Sequence, residues 1–231
     1  MCNGSIMDKL ISFSLPLMLS GILQLMFNAV DIIVVGRFSG KQALAAVGST
    51  TALINVFTNL FIGISLGANV LAARFYAMGK SKEMSETVHT SITLAMVSGV
   101  IMAFVGVLFA RGALELMGTP DDVIDQSTLY MRIYFMGMPF FMIYNYGAAI
   151  LRAIGDTKRP LLFLIISGLI NAALNMLLVI YCHMAVEGVA IATVISQLIS
   201  CILVLWCLYK SEGSYQLRFS KLQIKGVYLK Q

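Results

Sequence analysis

The chain has 231 residues, 59% hydrophobic and only 12% charged, with a net charge of +5. A soluble domain carries about 25% charged residues, so this composition excludes a disordered chain, a nucleic-acid-binding tail and most soluble enzymes. It points to an integral membrane protein whose basic balance comes from loops facing the cytoplasm; membrane lipids are expected partners and nucleic acid is not.

Uncharged runs long enough to cross a bilayer follow one another along the chain. A spanning helix needs about 20 apolar residues. Lys9 precedes an uncharged run from Leu10 to Val30 that continues past Asp31 to Val35. It is longer than the apolar core of a cleaved signal peptide. Spans are predicted near 10–35, 42–73, 87–110, 124–151, 160–182 and 188–209. The second is long enough for a tilted helix that overshoots the bilayer. Arg132 interrupts the fourth, and Glu187 separates the fifth from the sixth. The expected fold is therefore all-α, a polytopic bundle of six transmembrane helices over residues 1–209, followed by a basic tail over 210–231. In that tail Leu217, Phe219, Leu222, Ile224 and Val227 alternate with Arg218, Lys221 and Lys225. This suits either an amphipathic segment on an anionic leaflet or a solvated linker.

Basic residues set the orientation. With the N-terminus inside, twelve lysines and arginines from Lys9 to Lys230 fall on the inner side, against Arg37, Lys41 and Arg111 on the outer side. That bias predicts both termini in the cytoplasm.

The chain also echoes itself. A shift that lays Asp31 on Asn175 lays Pro16 on Pro160, Leu17 on Leu161, Ile22 on Ile166, Leu25 on Leu169 and Ala29 on Ala173. It also pairs Val35 with Val179, Ala46 with Ala190 and Ser49 with Thr193. Internal repeats are common in transporters, although two apolar hairpins also match by chance. The echo directs attention to Asp31 and Asn175.

Asp31 is the one acid inside an otherwise apolar span. Such residues commonly face a cavity and bind protons or cations. The alternative is an interfacial aspartate beside Arg37, since Asp31 lies about 30 Å along the first span. Asn171 and Asn175 are four apart and share one helix face. They sit roughly 17 and 22 Å from the inner end of the fifth span, and Thr193 roughly 8 Å below the outer end of the sixth. All four fit one outer-half layer. A carboxylate, two amides and a hydroxyl offer oxygen ligands for a hard cation such as sodium, or hydrogen bonds for a titrating acid. They equally suit packing between helices. Gln24 and Asn28 lie on the same side of the first span as Asp31. Pro16 removes a backbone hydrogen bond and can bend that helix. Tyr130, Tyr134, Tyr144, Asn145 and Tyr146 give the fourth span a polar, aromatic character.

Catalytic patterns are absent. His89 and His183 have no acid at triad or metal-ligand spacing, and no phosphate-binding loop occurs. The four cysteines form no CxxC pair and indicate neither a disulfide framework nor a metal site. An enzyme is not expected.

Several stretches resemble the multidrug and toxic compound extrusion (MATE) family. SLPLMLSGILQLMFNAVDIIVVGRFSG is similar to its first helix, with proline, glutamine and an aspartate before VG. The long small-residue second span is similar to its second helix. LRAIGDTKRP, with the span that follows, resembles its inner loop and fifth helix, and EGVAIATVISQ the start of its sixth. The likeness runs from Ile6 to Lys210. It implies a secondary antiporter that exports cationic or amphipathic compounds on a proton or sodium gradient, from the bacterial plasma membrane, without a cofactor. By the same resemblance, Asp31, Asn171, Asn175, Thr193 and Tyr130 match a cation or proton site. Gln24, Asn28 and Asn145 match substrate-cavity positions, and Pro16 the bending proline. Small organic cations are the implied substrates.

Two departures stand out. Many relatives carry a second acid where this chain has Asn175. The family also has twelve helices in two six-helix lobes, whereas this chain resembles the amino-terminal lobe ending in a truncated interlobe linker. Alternating access needs two bundles, so a second lobe, in the same polypeptide or a separate chain, is an expected partner. The rival expectations are a lipid-linked oligosaccharide flippase of the same superfamily, which would need a basic cavity, and a membrane scaffold or fragment that does not transport.

Overall fold

The structure, a computed structural model, describes residues 6–218. Those residues form an all-helical bundle without strands. Helix α1 (Ile6–Val34) passes through a π-helical segment (Val35–Ser39) into α2 (Gly40–Ala77). Then come α3 (Ser81–Leu116), α4 (Ile124–Met136), α5 (Met138–Ala153) and α6 (Lys158–Asn175). A second π-helical segment (Met176–Tyr181) leads towards α7 (Val186–Lys210). Among the described residues four helical stretches are long and apolar enough to cross a membrane: Leu10–Ala77, Ser81–Leu116, Lys158–Tyr181 and Val186–Lys210. The first is 68 residues long. At 1.5 Å per residue it would run about 100 Å if straight, over three times a bilayer core of about 30 Å. Gly40, at φ +87°, supplies a backbone break within it.

The stretch predicted as one span over 124–151 is two helices, α4 of 13 residues and α5 of 16. The chain breaks at Gly137, with Pro139 inside the first turn of α5, where the missing N–H costs no helical bond. The break rests on α3 through two close approaches. A Cβ on Gly99 would stand 2.5 Å from Pro139 Cα, and one on Gly106 would stand 2.1 Å from the Phe135 ring. Phe135 also meets Phe57 of α2 edge-on, with centroids 5.6 Å apart.

LRAIGDTKRP forms a tight corner between α5 and α6. Gly155 takes φ +89° to end α5. Its N–H donates to the Arg152 carbonyl and the Asp156 N–H to the Leu151 carbonyl, each at 2.9 Å. These two bonds satisfy the last carbonyls of the helix. The Asp156 carboxylate then accepts the Arg159 N–H at 3.1 Å, capping the first turn of α6.

Helices α3, α5 and α7 share the larger apolar core with parts of α2 and α4. Helix α1 packs chiefly on α6 and stands at the edge of the bundle. After α7 the chain folds back. Leu217 is buried in the core, and its N–H donates to the Leu208 carbonyl at 3.0 Å. The Arg218 N–H donates to His89 Nε2 at 3.0 Å. The start of the tail is therefore pinned to the bundle through Leu217 and the His89 contact, while Glu212, Gly213 and Arg218 stay exposed. Phe219, Leu222, Ile224, Val227, Lys221 and Lys225, on which the amphipathic reading rests, lie outside the described residues.

Candidate functional site

A cavity of about 610 Å³ opens between α1, α2, α4, α5, α6 and α7. On the α1 side one close approach ties the wall to α6. A Cβ on Gly168 would stand 2.0 Å from the Phe27 ring, so only glycine lets that ring lie on α6. Phe27 is one turn from Asp31, and Gly168 is about one turn from Asn171. The contact thus brings the two polar faces together.

There they join in one hydrogen-bonded row. Asp31 is 8% exposed and Asn175 is fully buried. The Asn175 side-chain amide donates to an Asp31 carboxylate oxygen. It also donates to Asn171 Oδ1 at 3.2 Å. Asn171 Nδ2 donates to Thr193 Oγ1 at 3.4 Å, and that hydroxyl donates to the Val189 carbonyl at 2.9 Å. Both Asn175 donor hydrogens are thereby used, while its buried Oδ1 has no partner. An orphaned buried acceptor is uncommon and calls for a reason. Two backbone irregularities flank the row. Asp31 lies one turn before the first π-helical segment, and Asn175 directly precedes the second. Such segments recur at functional sites. A small apolar cluster containing Val35, Val179, Val186 and Val189 packs beside them.

The remaining predicted residues divide. Tyr130 lines the cavity from α4 and stacks on Tyr134, with centroids 6.3 Å apart. Gln24 and Asn28 line it from α1. Asn145 does not lie on the described wall. It is buried on α5, and its amide donates to the Phe141 carbonyl at 2.8 Å, one turn back along its own helix. One amide N–H is thereby taken up within α5. Pro16 is buried within an uninterrupted α1, and its carbonyl accepts the Ser20 hydroxyl at 2.8 Å. Asp31 makes no ion pair with Arg37, which is exposed.

Several wall residues were not anticipated. Thr51, Asn55 and Asn59 line the cavity from α2, and Ser196, Gln197 and Ser200 from α7. Their signal was present in spacing, since residues four apart share a helix face. Gln197 Oε1 is buried without a partner beside the chain break at Gly137. Among the described lining residues Asp31 is the one carboxylate, and no Lys, Arg or His occurs. Arg132 lies off the cavity, with Nε donating to the Val107 carbonyl of α3 at 3.3 Å. No group of three or more His, Cys, Asp or Glu able to hold a metal occurs among the described residues.

Comparison with known proteins places this architecture. The MatE family model matches residues 16–177. "Probable multidrug resistance protein YoeA" of Bacillus subtilis (strain 168) is 35% identical over 213 residues, 90% of this chain and 46% of that protein. "Probable multidrug resistance protein YpnP" of the same organism is 26% identical, over 84% of this chain and 44% of that protein. The chain thus spans about half the length of the curated relatives it matches. A crystal structure described as MATE in the bent conformation superposes with a TM-score of 0.89 at 22% identity, over 98% of this chain and 51% of that one.

Proposed function

The chain belongs to the MatE family of multi-pass membrane transporters, and on that premise we propose that it is the amino-terminal lobe of a secondary antiporter exporting cationic or amphipathic compounds. In this reading six spans cross the membrane with both termini in the cytoplasm, and a second six-helix lobe completes the substrate path. The observation that carries it is the charge of the cavity. Asp31 is its one carboxylate, and no basic side chain offsets it among the described lining residues. A cavity of that sign attracts organic cations and repels anionic headgroups. It argues against a lipid-linked oligosaccharide flippase, since Arg132 is bonded to α3 outside the cavity.

Asp31 is also the group that exchanges the coupling ion. While it is ionised, the Asn175 amide donates to it. When it takes up a proton, its hydroxyl needs an acceptor, and the orphaned Asn175 Oδ1 becomes one if the amide turns over. Sodium would draw on the same oxygens: Asp31, Asn175 Oδ1, Asn171 Oδ1 and the Thr193 hydroxyl. Either ion changes how α1 is tied to α6. Pro16 removes the bond that would hold Ser12, so α1 has a weak point on the way to Gln24 and Asn28. Movement there would change the substrate-facing wall. Tyr130 bounds the site and limits access to it.

Efflux of a fluorescent cationic dye tests the proposal. In the chain extended by a second lobe, Asp31→Asn is expected to insert normally and to lose gradient-driven efflux. Retained coupled efflux in that variant refutes the assignment. Efflux that collapses with a proton ionophore or with removal of sodium identifies the ion.

A further inference from the structure

We propose that Arg132 holds the phosphate of a membrane phospholipid in the groove between α3 and α4. Arg132 is exposed although it lies two turns inside α4. Its Nε donates to the Val107 carbonyl, which fixes the guanidinium against the side of α3. Among the described residues the ion pairs join Arg111 to Glu115 and Asp125, and Arg159 to Asp156; Arg132 takes part in none. A guanidinium has five N–H donors, so most of its hydrogen-bonding capacity remains for a ligand.

The depth selects that ligand. Val107 lies one turn before Arg111, the first charged residue after the uncharged run of α3. The guanidinium therefore sits about 6 Å inside Arg111, the innermost member of a charged collar that also holds Glu115 and Asp125. That is too deep for free hydration and shallow enough for an arginine to reach headgroup level. The flanks are apolar and open. Leu129 and Met136 on α4 are 44% and 62% exposed, and Phe104 and Leu108 on α3 are 69% and 68% exposed. Acyl chains fit along these side chains while a phosphate diester meets the planar fork in bidentate fashion. A second copy of this chain is a poor occupant, because Asp31, its one carboxylate within an apolar span, is buried in the cavity site. Any phospholipid carries the required anion, and basic sites between membrane helices bind such headgroups.

Native mass spectrometry of the detergent-purified full chain tests this with two probes: phosphatidylglycerol, and a diacyl glucosyl lipid of the same chains without phosphate. Arg132→Gln is expected to reduce retained phosphatidylglycerol about tenfold, with Arg132→Lys in between. Retention of the glucosyl lipid is expected to stay as in the parent, and Arg37→Gln to change neither lipid. Equal phosphatidylglycerol retention in Arg132→Gln, or equal loss of both lipids, overturns the proposal. Displacement of the lipid by inorganic phosphate at matched concentration also overturns it, because the site would then take a free anion. If Arg132→Gln does not stay folded, Leu129→Glu decides. It keeps the arginine, sets a carboxylate one turn away and is expected to expel the phosphatidylglycerol; full retention there contradicts the site.

Discussion

The hairpin α1–α2 and the hairpin α6–α7 are two versions of one design. Each has a helix, a π-helical segment and a second helix in that order. The echo in sequence is also an echo in burial. Pro16 and Pro160 are buried, Leu25 and Leu169 exposed, Val35 and Val179 buried, Ala46 and Ala190 buried, and Ser49 and Thr193 half-buried. Asp31 and Asn175 are not only equivalent but in contact. Two differences then separate the hairpins. Pro160 falls in the first turn of α6, where no bond is lost, whereas Pro16 falls inside α1, where one is. Helix α6 is also held by α5 and α7, whereas α1 leans chiefly on α6. The same pattern thus yields one first helix held from several sides, α6, and one held chiefly from one side, α1, with the carboxylate on α1 and the amide on α6.

Substitutions at paired positions break or sharpen this contrast. Asn175→Leu has the largest expected effect, because it takes the amide donor away from the buried Asp31. It should lower stability by about 3 kcal/mol, read as a fall in the thermal midpoint of the purified chain; an unchanged midpoint would mean that the amide does not hold the two hairpins together. Gly168→Ala drives a Cβ into the Phe27 ring. It should cost about 2 kcal/mol and increase proteolytic cleavage within α1 more than within α6. Pro16→Ala restores a helical bond and should stabilise α1 by about 1 kcal/mol while slowing dye efflux in the complete transporter. Pro160→Ala should change both by little, and equal effects at the two prolines would erase the distinction between the hairpins. Thr193→Val, which removes the end of the polar row, should cost about 0.6 kcal/mol in the same melting assay.

Much of this contrast was legible in the chain. Apolar runs marked the helices, because a bilayer permits few other backbone solutions. Depth arithmetic put Asp31, Asn171, Asn175 and Thr193 in one layer, since helical rise is nearly constant. The break at Gly137 was missed although Gly-Met-Pro signals it, because hydropathy is blind to a turn that stays apolar. Asn145 was placed by residue type alone, and only the packing of α5 shows one of its amide N–H groups bonded to the Phe141 carbonyl. The polar stripe of α2 was hidden by its small, weakly polar neighbours. Leu217 read as a surface residue because nothing local reveals that the chain turns back into the core.

The central claim is that one carboxylate, shared across two equivalent hairpins, couples the ion gradient to export. The most direct measurement is gradient-driven dye efflux by Asp31→Asn, Asn175→Asp and the exchanged double variant, each in the complete transporter. The account predicts no coupled efflux from Asp31→Asn and substantial recovery when Asn175→Asp is added, because the carboxylate returns to the same contact from the other side. A double variant that inserts and folds, yet stays as inactive as Asp31→Asn, would contradict it.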